Sequence, residues 1–357
     1  MAAIIDLVSN ITFTADEVRD LNSLFVKAVL DAPALNQFHT FETGIVNDKQ
    51  IGIVPGTLGL LLKAAQGCDP VADTKSITAT QKKWEPKRQE MILKQCYTDL
   101  ASSFLILSRK LGSNVGDLTA TDYFTYLTDM VRRDLAKEII RVAWMSNKSA
   151  ANVDDSPAGV ITSGVNTDYF SVIDGIFKQL ATIYTATPAR KTTISANAEA
   201  TYALQKSAFT TTAAFNALNA VVDDAPTLLK LQPDRFLLCT QSVMDKAKRY
   251  MQSVNIAFDI TNTIEGLQLA RWDGWDLISV PLWDEWIMAY EDNGTKYNNP
   301  HRIVAATKSN IKIGMEGTSL FDTVNVWYDK TSKYNYIDVI DSFDAKVLMD
   351  ELIQVGI

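Results

Sequence analysis

The apolar positions change period several times along the chain, and each change predicts a different kind of element. From Thr14, with Glu17 at the capping-box spacing, Leu21, Leu24, Phe25, Ala28 and Val29 recur at helical intervals as far as Asp31-Ala-Pro33, so an amphipathic helix is expected there. Between Phe38 and Met91 that period is lost. Extended runs are broken by Gly44, Gly52, Pro55, Gly56, Gly59, Gly67 and Pro70, and a second run leads from Ser76 into Lys83-Trp84-Glu85-Pro86. The two runs read as a hairpin arm joined by a Gly-Cys-Asp-Pro turn. It is too polar to make its own core and is stable only when laid on something else.

A short helix is expected over 99–111, followed by the most regular stretch of the sequence. Thr119 and Asp122 open it at capping-box spacing. Phe124, Leu127, Val131, Leu135, Ile139 and Val142 form an apolar stripe opposite Asp129, Arg132, Arg133, Lys137 and Arg141. Neither proline nor glycine interrupts it before about Asn147, which predicts one strut-like helix of roughly 40 Å at 1.5 Å per residue. Beyond a polar turn at Asp154-Asp155-Ser156-Pro157, helices are expected over 168–184, 209–222 and 242–252. Strands are expected over 235–240, 275–281, 286–290 and 302–307, the alternation of a mixed α/β lobe. Val324, Val326 and Tyr328 then alternate before Asp329-Lys-Thr-Ser-Lys333, and Tyr334 to Ile340 returns as the second strand of a hairpin.

Composition narrows the class. With 47% hydrophobic and 21% charged residues over 357 positions, the chain has material for a sizeable core. No Ser/Gly or Pro-rich linker and no internal repeat divides it, so its lobes should share the chain more than once. A net charge of −8 argues against a protein whose task is to neutralise phosphates. Cys68, Cys96 and Cys239 are odd in number and widely spaced, which fits neither a disulfide framework nor a zinc site and suits a reducing cytoplasm. Met1 to Asn10 lacks the flanks of a signal peptide, and no apolar run approaches the roughly 18 residues of a membrane span, so neither secretion by that route nor membrane insertion is expected.

Candidate chemistry is sparse. The only histidines, His39 and His301, lack neighbouring partners in sequence and read as structural. Nucleophile-elbow, Walker and dinucleotide patterns are absent, so no catalytic residue, cofactor or metal is expected. The acidic pairs Asp154-Asp155, Asp223-Asp224 and Asp284-Glu285 read as solvated surface. Trp283 and Trp286 beside the last pair keep open a carboxylate-based carbohydrate-active enzyme, with the tryptophans as a sugar platform. Lys82, Lys83, Lys87 and Arg88 cluster around Trp84. Nucleic-acid stacking is one use for such a cluster, but a charged arm lying on acidic identical subunits is the favoured reading, with all five residues as inter-subunit contacts.

The order of parts resembles the coat fold of tailed phages, named after the Hong Kong ninety-seven phage and shared with encapsulin shells. The resemblance rests on Lys82-Lys-Trp-Glu-Pro-Lys87 leading to Gln95-Cys-Tyr-Thr-Asp-Leu100, on Ile139-Ile-Arg-Val-Ala-Trp144, on Gln232-Pro-Asp-Arg-Phe-Leu-Leu238 and on the C-terminal hairpin. The first of these is similar to coat proteins of phages of Bacteroidetes. What the resemblance implies is an α+β fold with an N-arm over 1–37, an extended E-loop hairpin over 38–95 and a peripheral domain with the spine helix over 96–165. A mixed α/β axial domain over 166–300 and return strands over 301–357 complete it. It also implies a major capsid protein without catalysis, assembling as hexamers and pentamers into the icosahedral shell of a virion in the host cytoplasm. Its partners would be a portal, a separate scaffolding protein and packaged double-stranded DNA held without sequence-specific contact, with no membrane. No position matches the lysine and asparagine that some relatives crosslink. An encapsulin-like nanocompartment shell is the rival within the same fold.

Overall fold

The computed structural model describes residues 38–47, 49–53, 80–96, 134–135, 137–152, 161–256, 258, 260–262, 267–317, 323–329 and 334–357. The expected helices over 14–33 and 99–111, the first half of the long helix, the middle of the hairpin and the Asp154–Pro157 turn lie outside those residues.

One sheet is built around a strand of 14 residues, β13 (Tyr334–Val347). Along one edge it pairs antiparallel with β12 (Thr323–Asp329), Asp329 opposite Tyr334, and then with β11 (Ile311–Met315), Ile311 opposite Val347. The expected C-terminal hairpin is therefore present. Along the other edge runs β4 (Lys87–Cys96), antiparallel with Lys87 opposite Phe343 and Cys96 opposite Tyr334. β1 (Thr40–Glu42) adds to β11 in parallel. The flanks of the expected arm are thus strands of a five-stranded sheet. Between them, β2 (Gln50–Ile53) and β3 (Thr80–Lys83) pair antiparallel, with Ile53 opposite Thr80, as the hairpin reading requires.

The second sheet has seven strands in the order β5 (Lys191–Thr192), β14 (Gln354–Gly356), β10 (Ile303–Thr307), β6 (Arg235–Cys239), β9 (Trp275–Ser279), β8 (Gln268–Trp272), β7 (Ile260–Asn262). Every residue of β10 is buried, as expected of a strand covered on both faces. The twofold alternation of β6 divides the interior. Phe236 and Leu238 enter one apolar core, and Leu237 and Cys239 enter the other. The second core is closed by α4 (Thr211–Asp224) through Ala214, Leu218 and Val221, and by α5 (Gln241–Ser253) through Val243, Met244 and Ala247. Thr210 caps α4, its hydroxyl accepting the Ala213 amide at 3.1 Å.

The first core joins the two sheets. Into it runs a helix, α1, over residues 137–145, followed by α2 (Ile176–Ala186) and α6 (Pro281–Tyr290); α3 (Tyr202–Ala208) lies outside it. Leu135, Ile139 and Val142 are buried as their spacing predicts, but so are Ile140, Ala143, Trp144 and Met145. Arg141, placed by the helical wheel on the polar face, is only 5% exposed. Its guanidinium grips Glu138 at 2.6 Å, donates to the Tyr169 carbonyl at 2.8 Å and lies over the Phe170 ring. A single stripe presupposes one partner face, whereas these last turns are enclosed on all sides.

Two further expectations are corrected. Residues 286–290 form the end of α6 and not a strand. Pro281 opens the helix where a proline is favoured, and Trp283, Trp286 and Ile287 are buried at i, i+3 and i+4. The helix expected over 168–184 starts only at Ile176, preceded by a 3-10 turn at Thr167–Tyr169, because Gly175 leaves the helical region as its N-cap.

Gly175 also fixes the seat of α1. Its amide donates to the Ser146 carbonyl at 2.8 Å, and a Cβ there would stand 2.9–3.0 Å from backbone atoms of Ser146 and Ala143. Gly314 in β11 has the same character against side chains: a Cβ would meet Ile45 Cδ1 at 2.8 Å and the Trp84 ring at 2.9 Å. Gly175→Ala and Gly314→Ala should each destabilise the folded chain by about 1–3 kcal/mol, read from urea midpoints. Unchanged midpoints would show that the backbone relaxes at no cost.

Candidate assembly surface

The five residues expected at subunit contacts do not share one environment. Trp84 is fully buried in its own chain, under Gly314 and beside Ile45, with its amide donating to the Lys49 carbonyl at 3.1 Å. It is the plug that holds the base of the hairpin to the five-stranded sheet. Lys82 also works within the chain, donating to the Val347 carbonyl at 2.7 Å and pairing with Asp350 at 2.6 Å. Next to the plug, the Glu85 amide donates to Asp344 at 2.8 Å and the Glu85 carboxylate pairs with Lys148. The hydrogen bond from Lys148 lowers the Glu85 pKa, while burial raises that of Asp344 against the opposing pull of Lys346. Lys83, Lys87 and Arg88 are exposed.

The residues of the carbohydrate reading occupy a different place. Trp283 is fully buried with its ring centroid 4.7 Å from that of Trp144, and Trp286 is 5% exposed. Neither offers a face to a sugar. Asp284 is half-buried and accepts the amides of Gln241 at 2.6 Å and Ser242 at 3.2 Å, so it caps α5 from the first turn of α6. Glu285 is exposed, as are Asp223 and Asp224. His39 accepts the Trp144 indole N–H at 2.7 Å. His301, at the entrance of β10, stacks on Phe209 with centroids 3.6 Å apart and shares a hydrogen bond of 3.0 Å with the Ser242 hydroxyl. Among the described residues no group of three or more His, Cys, Asp or Glu is placed to hold a metal ion, and no helix is long and apolar enough to cross a membrane.

Asp284 and His301 line a cavity of about 500 Å³ between α3, α5 and α6 that sequence reading passed over. Lys206 of α3 and Lys246 and Arg249 of α5 also line it. The signal was present as Asp245, Lys246, Lys248 and Arg249 on one helix of an acidic chain. Burial pushes the Asp284 carboxyl up to about 6 and the His301 imidazole down to about 4. The stabilising share of Asp284 is full below its unfolded value near 3.8 and is lost as pH rises through 6. That of His301 is present above 6.5 and is lost as pH falls through 4. Between pH 4 and 6.5 the two trends oppose each other. Asp284→Asn keeps an oxygen for the α5 amides but removes the counterweight. Its urea midpoint should therefore fall more steeply than the wild type's between pH 7 and 4.5, and parallel curves would contradict the opposition.

No protein-family model matches the sequence, and no curated protein matches it. Solved structures do. A chain of the satellite phage P4 procapsid, determined with its size determination protein, is similar over 95% of this chain and 98% of its own, with a TM-score of 0.50 at 10% identity. A chain of Mycobacterium phage Cain is similar over 97% and 98% at TM-score 0.47 and 12% identity. One of the holo-SrpI encapsulin complex from Synechococcus elongatus is similar over 97% and 91% at TM-score 0.45 and 11% identity. The likeness to the P4 procapsid chain is one of fold, and it extends over nearly the full length of both chains: the fold is α+β and is the tailed-phage coat fold that the sequence resembles.

Proposed function

We propose that this chain is the major capsid protein of a tailed phage and acts by assembling with copies of itself into an icosahedral shell. The observation that carries the reading is the shared fold with the P4 procapsid chain from end to end, with no large part of either chain left over. On this reading residues 1–37 are the N-arm, 38–95 the E-loop hairpin, 96–165 the peripheral domain with the spine helix, 166–300 the axial domain and 301–357 the strands that complete the peripheral domain. The subunits form hexamers and pentamers, and closed symmetry bounds the particle. A portal, a separate scaffolding protein and double-stranded DNA are the other partners. The shell forms in the host cytoplasm and remains in the virion, and function resides in interfaces and not in turnover.

The geometry favours a division of labour within the hairpin. Trp84, Lys82 and Glu85 spend their contacts on their own chain, so the base is held in cis. Lys83, Lys87 and Arg88 are exposed and face neighbours whose net charge is also −8.

Negative-stain microscopy of the expressed protein should show uniform hollow shells, and small monodisperse oligomers would overturn the coat reading. Replacing Lys83, Lys87 and Arg88 together by glutamine should reduce the yield or salt resistance of particles more than it lowers the melting temperature of the subunit. Lys82→Gln should do the reverse, lowering subunit stability by no more than about 1 kcal/mol for a part-exposed pair, measured by urea denaturation. Normal particles from the triple variant would remove those cations from the interface.

A further inference from the structure

The seven-stranded sheet carries different features at its two ends. β6 and β9 run parallel, so their carboxyl ends lie side by side. Thr240 leads from one into α5 and Val280 leads from the other into α6. The cavity between α3, α5 and α6 opens at that end. Its own carboxylates are engaged, Asp284 with the amides of Gln241 and Ser242 and Asp245 with the Gln241 side chain at 2.8 Å. Lys206, Lys246 and Arg249 make no ion pair with any described residue. Beside them Met288 is 52% exposed, giving an apolar wall.

At the opposite end, β8 and β9 are joined by the two-residue turn Asp273-Gly274, between the paired Trp272 and Trp275. Both residues have positive φ, 46° and 77°, the hairpin turn that matches the twist of the flanking strands. Both are exposed, and Asp273 makes no ion pair with a described residue. The buried Trp272 and Trp275 hold the turn from below. It is narrow, bears no Cβ at Gly274, tips in a carboxylate, and is already ordered before it meets anything. A preordered element of that kind loses little conformational entropy on docking.

A cation-lined hollow at one end of a sheet and a rigid carboxylate-bearing turn at the other form a heterologous pair of surfaces. Repeating one such contact joins identical subunits head to tail and closes a ring when the rotation permits. We propose that the cavity between α3, α5 and α6 receives the Asp273-Gly274 turn of the next copy of this chain. The inference rests on the coat reading and names one contact within it. Lys246 and Arg249, one turn apart on α5, take the Asp273 carboxylate, and Met288 covers the turn backbone.

A charge exchange tests it in the full-length chain. Asp273→Lys alone, and Lys246→Glu with Arg249→Glu, should each reduce particle yield at least about tenfold, with subunit melting unchanged. The combination of all three should restore yield to near the wild type. Lys246→Gln with Arg249→Gln, which adds no repulsion, should give an intermediate yield and keeps the test open where the reversed charges impair folding. Wild-type yield from any of the broken combinations, or no rescue in the exchange, overturns the contact. So does a defect confined to the cavity variants, since that would mean another segment or another molecule fills the hollow. Absence of particles from the wild-type chain itself would instead remove the coat reading on which the inference stands.

Discussion

Trp144 lies where four stretches distant in sequence meet, and the arrangement of the two sheets depends on that meeting. Its ring packs against Phe177 of α2 at 5.2 Å and Trp283 of α6 at 4.7 Å, and its N–H is held by His39 just before β1. The indole therefore finds in one place the apolar contact and the hydrogen bond that its burial demands. Because Gly175 admits the backbone of Ser146 so closely, the end of α1 and the start of α2 act as one piece. Through α2 that piece reaches β13, where the Gln179 side chain donates to the Ala345 carbonyl and accepts the Val347 amide. The end of α1 thus sits in a core to which both sheets contribute.

The hairpin base is governed by the same economy at smaller scale. Trp84 brings a large apolar surface to a polar segment, and the absence of a side chain at Gly314 is what lets the ring approach β11 so closely. Lys82 and Glu85 on either side then make contacts that are modest singly and directional together. The paired Ile53 and Thr80 thus leave a seat whose orientation is set within the subunit. An arm that starts from a fixed seat needs less ordering when it meets a neighbour than one that starts from a loose loop.

Much of this was legible where the determinants are local. The run Arg235 to Cys239 followed by α5, the buried strand β10, and the β12–β13 hairpin all fall where period and turn residues place them. The architecture was also carried by the order of parts. What could not be read was non-local. β4 has the sequence Lys-Arg-Gln-Glu-Met-Ile-Leu-Lys-Gln-Cys, polar enough for an arm. It belongs inside a sheet only because β13, some 250 positions later, offers it a ten-residue register. Trp84 looked like a contact residue because its neighbours are charged; its burial depends on a glycine in a strand far along the chain. The unbroken apolar run at 286–290 fits a buried strand as well as a helix, and the deciding signal, proline at the first helical position, was five residues upstream. Asp284 read as one of a solvated pair because capping another helix leaves no mark in its own vicinity.

Lys49 and Lys312 both pair with Glu42, Lys82 with Asp350 and Lys148 with Glu85, so one group of basic residues ties β1, β3 and the residues just after β3 to the body. A subunit with 34 basic and 42 acidic residues repels its copies at long range. At physiological salt that repulsion is screened beyond about 8 Å, so two copies approach freely until charges nearly touch and are then sorted by what lies opposite. Faces on which every cation is already paired offer an incoming acidic surface only repulsion. Faces that keep cations unpaired offer attraction. An acidic chain that pairs some of its basic residues internally and leaves others unpaired thereby restricts the orientations in which it can meet itself, and the proposed closed shell, which repeats a few contacts and excludes the rest, requires that restriction.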